Sequence, residues 1–216
     1  MKRKLWTLLL ALGAALALCV GASAADFLTG WDEVTNSTTT LESGKQYYLN
    51  NDVTVSQTIT VSGTVTLDLN GHVLKYENVQ TPGSPLAVES GGHLTIKDSN
   101  SNATHKFKPN GDGLWVLDET NGTETVYGGV ITGGTGYPFP LSSGRVNCGG
   151  GVYIAPGGQL TMTGGNIIGC SAEFGGGVYA SGKFQMPGKA VIRSCTAEGT
   201  SFNLSLIHIS EPTRPY

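Results

Sequence analysis

The sequence is poor in charged and aromatic side chains. Only 13% of its 216 residues are Asp, Glu, Lys or Arg, and only 8% are Phe, Trp or Tyr. With 13 basic residues against 16 acidic ones, the formal net charge is −3, so the chain lacks the basic face of most nucleic-acid-binding proteins. It also lacks the helical spacing of Ala, Glu, Lys and Leu that coiled coils and helical bundles need. We therefore expect no nucleic-acid partner and no helical fold.

Glycine, in contrast, is abundant. The chain has 32 glycines among 216 residues, about 15%, where roughly 7% is usual. Glycine at this level destabilises helices, because it loses more backbone entropy on folding than other residues. Hydrophobic residues make up 39% of the chain, which is too many for a disordered protein. We therefore expect an all-β protein whose short strands are separated by glycines.

The segment 1–24 has the layout of a secretory signal peptide. Three basic residues at 2–4 precede an apolar run over 5–20, and Ala22-Ser23-Ala24 supplies a small-x-small cleavage site. The apolar run is shorter than the ~20 residues of a membrane-spanning helix, and an uncleaved anchor is the alternative. We therefore expect a signal peptide over 1–24, a secreted or cell-surface protein, and no integral membrane span after cleavage.

Strict alternation of apolar and polar residues marks the segment from 58 to 74. Its apolar residues of one parity are Ile59, Val61, Val65, Leu67 and Leu69. A period of two predicts strands with one face in a core and the other outside. Val65-Thr66-Leu67 recurs further along the chain as Leu94-Thr95-Ile96, which is the first sign of a repeat.

The clearest repeat lies in the second half of the chain. Gly-Gly-Gly-Val-Tyr occurs at 149–153 and again at 175–179, and Leu160-Thr161-Met162 has its counterpart in Phe184-Gln185-Met186. Both offsets indicate a repeat of about 25 residues, in the range of repeat architectures. Three short strand-like runs in each copy leave room only for tight bends, as in one coil of a parallel β-helix. The repeat positions are Gly149, Gly150, Gly151, Tyr153, Gly175, Gly176, Gly177 and Tyr179.

The rest of the mature chain divides around this repeat. The apolar residues of 25–51 follow a different spacing, so we expect an N-terminal cap that covers the first coil. We expect the parallel β-helix to span 52–203. Two stretches rich in small polar residues and proline, near 99–123 and 135–147, are expected to be loop excursions between coils.

The repeat loses its phase near the end of the sequence. A third glycine triplet is due near position 201, where the chain reads Ser201-Phe202-Asn203. The run over 204–216 resembles the translated sequencing-adapter read-through found at the ends of metagenomic fragments. We therefore expect a non-native tail there and further coils in the natural protein, with a genuine short capping tail as the alternative. Residues 25–203 alone would then expose unpaired strand edges and associate.

Two of the cysteines follow the repeat. Cys170 and Cys195 stand one repeat apart in the chain, so in-register coils would bring their Cα atoms within reach of a disulfide, which export would permit. The alternative is that both are small buried hydrophobic residues. Cys148 precedes the first glycine triplet, where Phe174 precedes the second, and it has no evident partner.

Several phrases together resemble a known family. They are Thr66-Leu67-Asp68-Leu69-Asn70-Gly71, Leu94-Thr95-Ile96-Lys97-Asp98, the two Gly-Gly-Gly-Val-Tyr copies and Leu160-Thr161-Met162-Thr163-Gly164-Gly165. Over about 30–198 the chain is similar to right-handed parallel β-helix repeat proteins exported by gut Firmicutes, in the pectin-lyase-like superfamily. The resemblance implies that fold, incomplete at the C-terminal end. It also implies either a polysaccharide lyase or hydrolase, or a surface adhesin without catalytic chemistry.

The sequence lacks the motifs of the enzyme branch. Polygalacturonase-like hydrolases carry Asn-Thr-Asp, Asp-Asp, Gly-His-Gly and Arg-Ile-Lys, none of which occurs here. Asp68 and Asp98 hold similar places in successive repeats, which makes them weak candidates for calcium or sugar binding. The alternative is that each is a solvated residue or a turn acceptor. The histidines His72, His93, His105 and His208 show no metal-ligand spacing.

These observations predict a secreted or cell-surface β-helix repeat protein without a cofactor or a catalytic residue. We expect a non-catalytic scaffold for adhesion that binds a polysaccharide or another ligand on a host or cell surface. The alternative is the N-terminal fragment of a polysaccharide lyase or glycoside hydrolase whose active site lies on further coils. A structural spacer that holds a distal domain away from the cell is a third reading.

Overall fold

The computed structural model describes residues 29–78, 80–142 and 144–198. In these residues the regular secondary structure consists of β-strands, so the all-β fold class is confirmed. No helix in the described ranges has the length and hydrophobicity needed to cross a membrane. The expected signal peptide at 1–24 and the expected tail at 204–216 lie outside the described residues.

Most strands belong to three parallel sheets. In spatial order, sheet 1 contains β1 (Asp32–Glu33), β3 (Gln46–Tyr48), β6 (Thr64–Asp68), β9 (His93–Lys97), β17 (Gln159–Met162) and β21 (Lys183–Gln185). Sheet 2 contains β4 (Val53–Val55), β7 (Val73–Tyr76), β13 (Val130–Thr132), β18 (Asn166–Ile168) and β22 (Val191–Arg193). Sheet 3 contains β2 (Thr40–Leu41), β5 (Ile59–Val61), β8 (Leu86–Val88), β16 (Val152–Ile154) and β20 (Val178–Ala180). A short parallel pair joins β19 (Ser171–Ala172) to β23 (Thr196–Ala197).

The chain visits the three sheets in a fixed cycle. From β2 onward it contributes a strand to sheet 3, then to sheet 1, then to sheet 2, and it completes this cycle five times. We call each set of three strands a layer. The layers are β2–β3–β4, β5–β6–β7, β8–β9–β13, β16–β17–β18 and β20–β21–β22. Within every sheet the strands stand in sequence order, so each layer pairs with the one before it and the one after it.

The register between layers coincides with the sequence repeat. In sheet 1, Val65 pairs with Leu94, Leu94 pairs with Leu160, and Leu160 pairs with Phe184. In sheet 3, Val152 pairs with Val178. Equivalent positions of successive repeats are therefore neighbours, about 4.8 Å apart as in any sheet.

One apolar core draws side chains from all three sheets. In β6, Val65 and Leu67 are buried while Thr64 is exposed and Thr66 is half-buried, as the alternation predicts. Full burial of a Val, Leu or Ile side chain stabilises a fold by about 1.5–3 kcal/mol, so this core is the main source of stability. Asp68 follows these residues and is also fully buried.

Two antiparallel ribbons interrupt the cycle. The first contains β10 (Thr104–Pro109), β11 (Trp115–Leu117) and β12 (Glu124–Tyr127). Its Phe107 and Val126 pack against Val73 of sheet 2. The second contains β14 (Tyr137–Leu141) and β15 (Gly144–Cys148), and it packs on sheet 3 beside Tyr153. The segments expected to be loop excursions thus contain antiparallel strands, and the first ribbon extends beyond 99–123 to the end of β12.

His105 fastens the first ribbon to the turn before β7. Its side chain is 8% exposed. Nε2 donates a hydrogen bond to the Gly71 carbonyl oxygen at 2.8 Å, and Nδ1 lies 2.9 Å from Glu119 Oε1. The imidazole therefore links a strand of the ribbon to a layer turn and to the loop before β12.

Replacing His105 with alanine is expected to lower the free energy of unfolding by about 2 kcal/mol, because the Gly71 carbonyl loses its donor in a buried place. Urea unfolding followed by circular dichroism measures this loss. The matched control is His93→Ala, which removes an exposed histidine of β9 and should change stability by less than about 0.5 kcal/mol. Equal stability of the two variants would contradict the prediction.

Candidate functional site

A groove of about 640 Å³ lies beside the end of β12. Three of the segments that line it follow strands of sheet 1 in layers three, four and five, and β12 supplies the fourth. The lining residues are Asp98, Ser101, Thr125, Val126, Tyr127, Thr163, Gly164, Gly165, Asn166, Gly188, Lys189, Val191 and Arg193. The repeated fold and the first ribbon therefore build the groove together.

Two unusually exposed apolar side chains line this groove. Tyr127 is 66% exposed and Val191 is 37% exposed. The other large apolar side chain with high exposure among the described residues is Leu141 of β14, which is not part of the groove. An exposed tyrosine ring offers a flat apolar surface with a polar hydroxyl at its tip. Its presence in a groove therefore indicates a binding surface.

Cationic and hydroxyl groups surround these apolar side chains. Arg193 of β22 forms an ion pair with Glu124 of β12, so its guanidinium spans from layer five to the first ribbon. Lys189 and Thr163 are exposed in the same groove. The groove thus combines an aromatic ring with the cationic donors Arg193 and Lys189 and with the Thr163 hydroxyl, which donates to the Ile96 carbonyl oxygen at 3.1 Å.

Asn166 joins the end of β12 to the layers through the backbone of Tyr127 and Gly129. Its side chain is 8% exposed. Nδ2 donates hydrogen bonds to the Tyr127 carbonyl oxygen at 2.8 Å and to the Gly129 carbonyl oxygen at 3.1 Å. One buried amide thus bonds to the carbonyl oxygens on both sides of Gly128. These bonds hold the backbone from which the Tyr127 side chain extends.

Asp98 lines the groove, but its carboxylate is engaged with the backbone. Oδ1 accepts a hydrogen bond from the Gly71 N–H at 2.7 Å, and Oδ2 accepts one from the Gly129 N–H at 2.8 Å. These bonds connect the turn after β9 with the turns before β7 and β13. Asp98 is therefore a turn acceptor, the alternative that the sequence left open.

Asp68 has the same kind of role. Oδ1 accepts hydrogen bonds from the N–H groups of Asn70 at 2.8 Å and Ser99 at 2.9 Å. Oδ2 lies 3.0 Å from the ammonium nitrogen of Lys97. The two aspartates therefore use their oxygens within the fold, and calcium or sugar binding by them stays a prediction. In the described ranges no group of three or more His, Cys, Asp or Glu side chains could hold a metal ion.

The predicted repeat positions lie in register. The N–H groups of Gly149, Gly150 and Gly151 donate to carbonyl oxygens of 174–177 at 2.7–3.1 Å. Tyr153 and Tyr179 pair across β16 and β20, and their rings stack with centroids 5.9 Å apart. These residues hold layers four and five together through hydrogen bonds and ring stacking.

The cysteines of the described residues are free and buried. Cys148 forms an isolated parallel bridge with Phe174, and burial, with a smaller contribution from Glu173, raises its pKa to about 11. The Cys170 thiol donates a weak hydrogen bond to the Ile168 carbonyl oxygen at 3.7 Å, and the Cys195 thiol donates one to the Arg193 carbonyl oxygen at 3.3 Å. The disulfide between them stays a prediction.

The groove itself was not predicted from the sequence. Its parts come from positions near 98–101, 125–127, 163–166 and 188–193. Among them the sequence singled out Asp98 as a candidate for calcium or sugar binding and Thr163-Gly164-Gly165 as part of a repeat phrase. The sequence did contain one further signal, because two of the four groove residues of the second repeat, Lys189 and Arg193, are among the few cations of the chain.

No protein-family model matches the chain, and no curated protein and no solved structure does so either. The function has to be argued from the groove and from the fold that builds it.

Proposed function

We propose that the described residues form a right-handed parallel β-helix and that the protein is an exported, non-catalytic scaffold that binds carbohydrate. The cycle through three parallel sheets supports the fold, because each layer returns to the same sheet one strand further on. Connections between parallel strands of one sheet are right-handed in about 98% of cases, which supports the hand. The sequence phrases similar to pectin-lyase-like repeat proteins are in line with this proposal.

The carbohydrate part of the proposal depends above all on Tyr127. Sugar rings present C–H groups on one face and hydroxyls around their edge. The Tyr127 ring, which is 66% exposed, can cover the C–H face, and Lys189 can donate hydrogen bonds to the hydroxyls. Thr163 Oγ1 donates to the Ile96 carbonyl oxygen at 3.1 Å, so it can accept a hydrogen bond from a sugar hydroxyl. Binding sites of this kind combine apolar surface with a few placed polar groups.

The carboxylates near the groove favour binding over hydrolysis. Glycoside hydrolysis uses two carboxyl groups, one of which must give or take a proton. Both oxygens of Asp98 accept backbone hydrogen bonds, and Glu124 is paired with Arg193. Both carboxylates are thus engaged in contacts that hold the fold together beside Tyr127.

Export is proposed from the sequence of residues 1–24. The basic residues, the short apolar run and the small residues at 22–24 follow the layout of a signal peptide. A scaffold that displays a carbohydrate-binding groove would act at the cell surface or in the medium, where polysaccharides and host glycans are found.

Replacing Tyr127 with alanine is expected to weaken carbohydrate binding at least about tenfold, because an aromatic side chain at the centre of a binding site contributes strongly to affinity. The full chain is first screened against immobilised polygalacturonate, arabinoxylan, mannan and mucin glycans. The polysaccharide that binds is then titrated calorimetrically against wild type, Tyr127→Ala and Tyr127→Phe, and the phenylalanine variant should retain most of the affinity.

Leu141→Ala is the matched control, because it removes an exposed apolar side chain outside the groove and should leave binding unchanged. Failure of all four polysaccharides to bind would contradict the proposed function, and so would equal affinity of wild type and Tyr127→Ala. Release of reducing ends or unsaturated sugars from the bound polysaccharide would instead support an enzyme.

A further inference from the structure

Cys170 and Cys195 occupy equivalent positions in neighbouring layers. Before them Ile168 pairs with Arg193, and after them Ser171 pairs with Thr196. The Thr196 N–H donates to the Cys170 carbonyl oxygen at 2.9 Å, so the register continues between the two strand pairs. In-register neighbours are about 4.8 Å apart, which lies inside the roughly 4.4–6.8 Å range of Cα distances in disulfides.

The two thiols share one buried space. Cys170 is 1% exposed and Cys195 is 8% exposed, and both belong to the central apolar core. A glycine faces each sulfur. A Cβ added at Gly151 would be 3.5 Å from the Cys170 sulfur, and one added at Gly177 would be 3.4 Å from the Cys195 sulfur. These are ordinary van der Waals distances, so each thiol packs beside the third glycine of its triplet.

We infer that Cys170 and Cys195 form a disulfide bond that joins layers four and five when the protein folds in the presence of a disulfide oxidant such as oxidised glutathione. The sulfur of Cys195 attacks one sulfur of the oxidant, and the other oxidant sulfur leaves as a thiolate. The sulfur of Cys170 then attacks Cys195 Sγ and expels the second thiolate. The two cysteines lose two electrons and two protons, and the oxidant becomes two thiols.

The order of these steps follows from the local environment. The neighbouring Cys170 thiol, whose effect outweighs that of burial, lowers the pKa of Cys195. The Cys195 thiol and complete burial raise the pKa of Cys170. Cys195 is therefore both the more acidic and the more exposed thiol, and thiolates are the attacking species in disulfide exchange.

Cys148 is excluded as the partner by its place in the fold. It belongs to a separate cluster with Ala87 and Tyr153 under the second ribbon. The residue in register with it is Phe174, so the neighbouring layer places no cysteine beside it. The inference does not depend on carbohydrate binding.

The positions of the methionines allow a direct test on the full chain. Cyanogen bromide cleaves after Met162 and Met186 and yields 163–186 with Cys170, 187–216 with Cys195, and an N-terminal fragment with Cys19 and Cys148. The chain is unfolded in denaturant and reductant, refolded with oxidised and reduced glutathione, alkylated, cleaved and analysed by mass spectrometry. We expect fragments 163–186 and 187–216 to be joined and about 2 Da lighter than their sum as thiols. Reduction should separate them.

Two variants give the matched comparison. Cys148→Ser should keep the link between the two small fragments, whereas Cys195→Ser should lose it. The loop closed by the bond has about 25 residues, so the oxidised protein should melt about 10 °C above the reduced one. Unlinked small fragments, or either of them joined to the N-terminal fragment, would overturn the inference. An unchanged melting temperature would show that the bond does not stabilise the contact between layers four and five.

Discussion

Replacing Gly150 with alanine is expected to abolish the folded state, at a cost above about 4 kcal/mol. A Cβ at this position would overlap the carbonyl oxygen of Gly176 and lie 2.5 Å from the carbonyl oxygen of Ser171. Both are backbone atoms held in hydrogen-bonded layers. The Gly150 N–H donates to Gly175 at 3.1 Å, and the Ser171 N–H donates to Gly134 at 2.9 Å. Relief of the overlap would break these bonds, so the neighbouring layers cannot simply move apart.

Loss of the β-sheet circular dichroism signal and of a cooperative urea transition would measure this effect. The matched control is Gly111→Ala in the loop between β10 and β11, where an added Cβ meets nothing within 4 Å. That variant should be as stable as wild type or up to about 1 kcal/mol more stable, because alanine restricts the unfolded chain. Wild-type stability of Gly150→Ala would refute the close approach of the two layers at the glycine triplet.

The glycine triplets explain why the sequence predicted so much of the stacked sheets. Gly150 and Gly176 stand at the same place in successive layers, and the same steric limit therefore recurs at a fixed spacing in the chain. Val65 pairs with Leu94 and Leu160 pairs with Phe184. These pairs are the ones that the spacing of the repeats in the sequence predicts. An in-register stack turns spatial neighbours into periodic positions, which a single sequence can reveal.

The two ribbons could not be predicted in the same way, because they have no counterpart in other layers. The row that contains Tyr153 and Tyr179 has Ala87 one layer earlier. Tyr137, from the second ribbon, stacks on Tyr153 with ring centroids 4.7 Å apart. The small side chain at Ala87 leaves room for it, so a residue from outside the repeat completes the aromatic stack.

The groove depends on the first ribbon for the same reason. Tyr127 lies at the end of β12, and it meets Val191 and Lys189 only because the ribbon folds back over sheet 2. No spacing in the sequence connects these positions. Exposure of the Tyr127 ring is also a property of the assembled surface, since its neighbour Val126 in the same strand is buried.

Asp68 shows a different limit of sequence reasoning. Alternation places it on the outer parity of β6, with Thr64 and Thr66, yet its side chain is fully buried. The reason is that two N–H groups donate to the carboxylate, one from Asn70 in the turn that follows and one from Ser99 in the turn after β9. A hydrogen-bonded aspartate can thus occupy a place where periodicity alone predicts a solvated side chain.

Replacing Asp68 with alanine is expected to lower the free energy of unfolding by about 3 kcal/mol, because two N–H groups lose their acceptor and the ion pair between the buried carboxylate and Lys97 is removed. Asp68→Asn should cost less, since an amide oxygen can still accept from Asn70 and Ser99.

Urea unfolding measures both losses. The control is Asp112→Ala, which removes an exposed aspartate in the loop between β10 and β11 and should change stability by less than about 0.5 kcal/mol.

A second comparison separates the ion pair from the hydrogen bonds. If Lys97→Met is added to Asp68→Ala, the double variant should be more stable than the sum of the single losses predicts, because both substitutions remove the same ion pair and it is lost only once. Strict additivity would assign the whole effect to the backbone hydrogen bonds, and a loss below about 1 kcal/mol for Asp68→Ala would refute the structural role of this carboxylate.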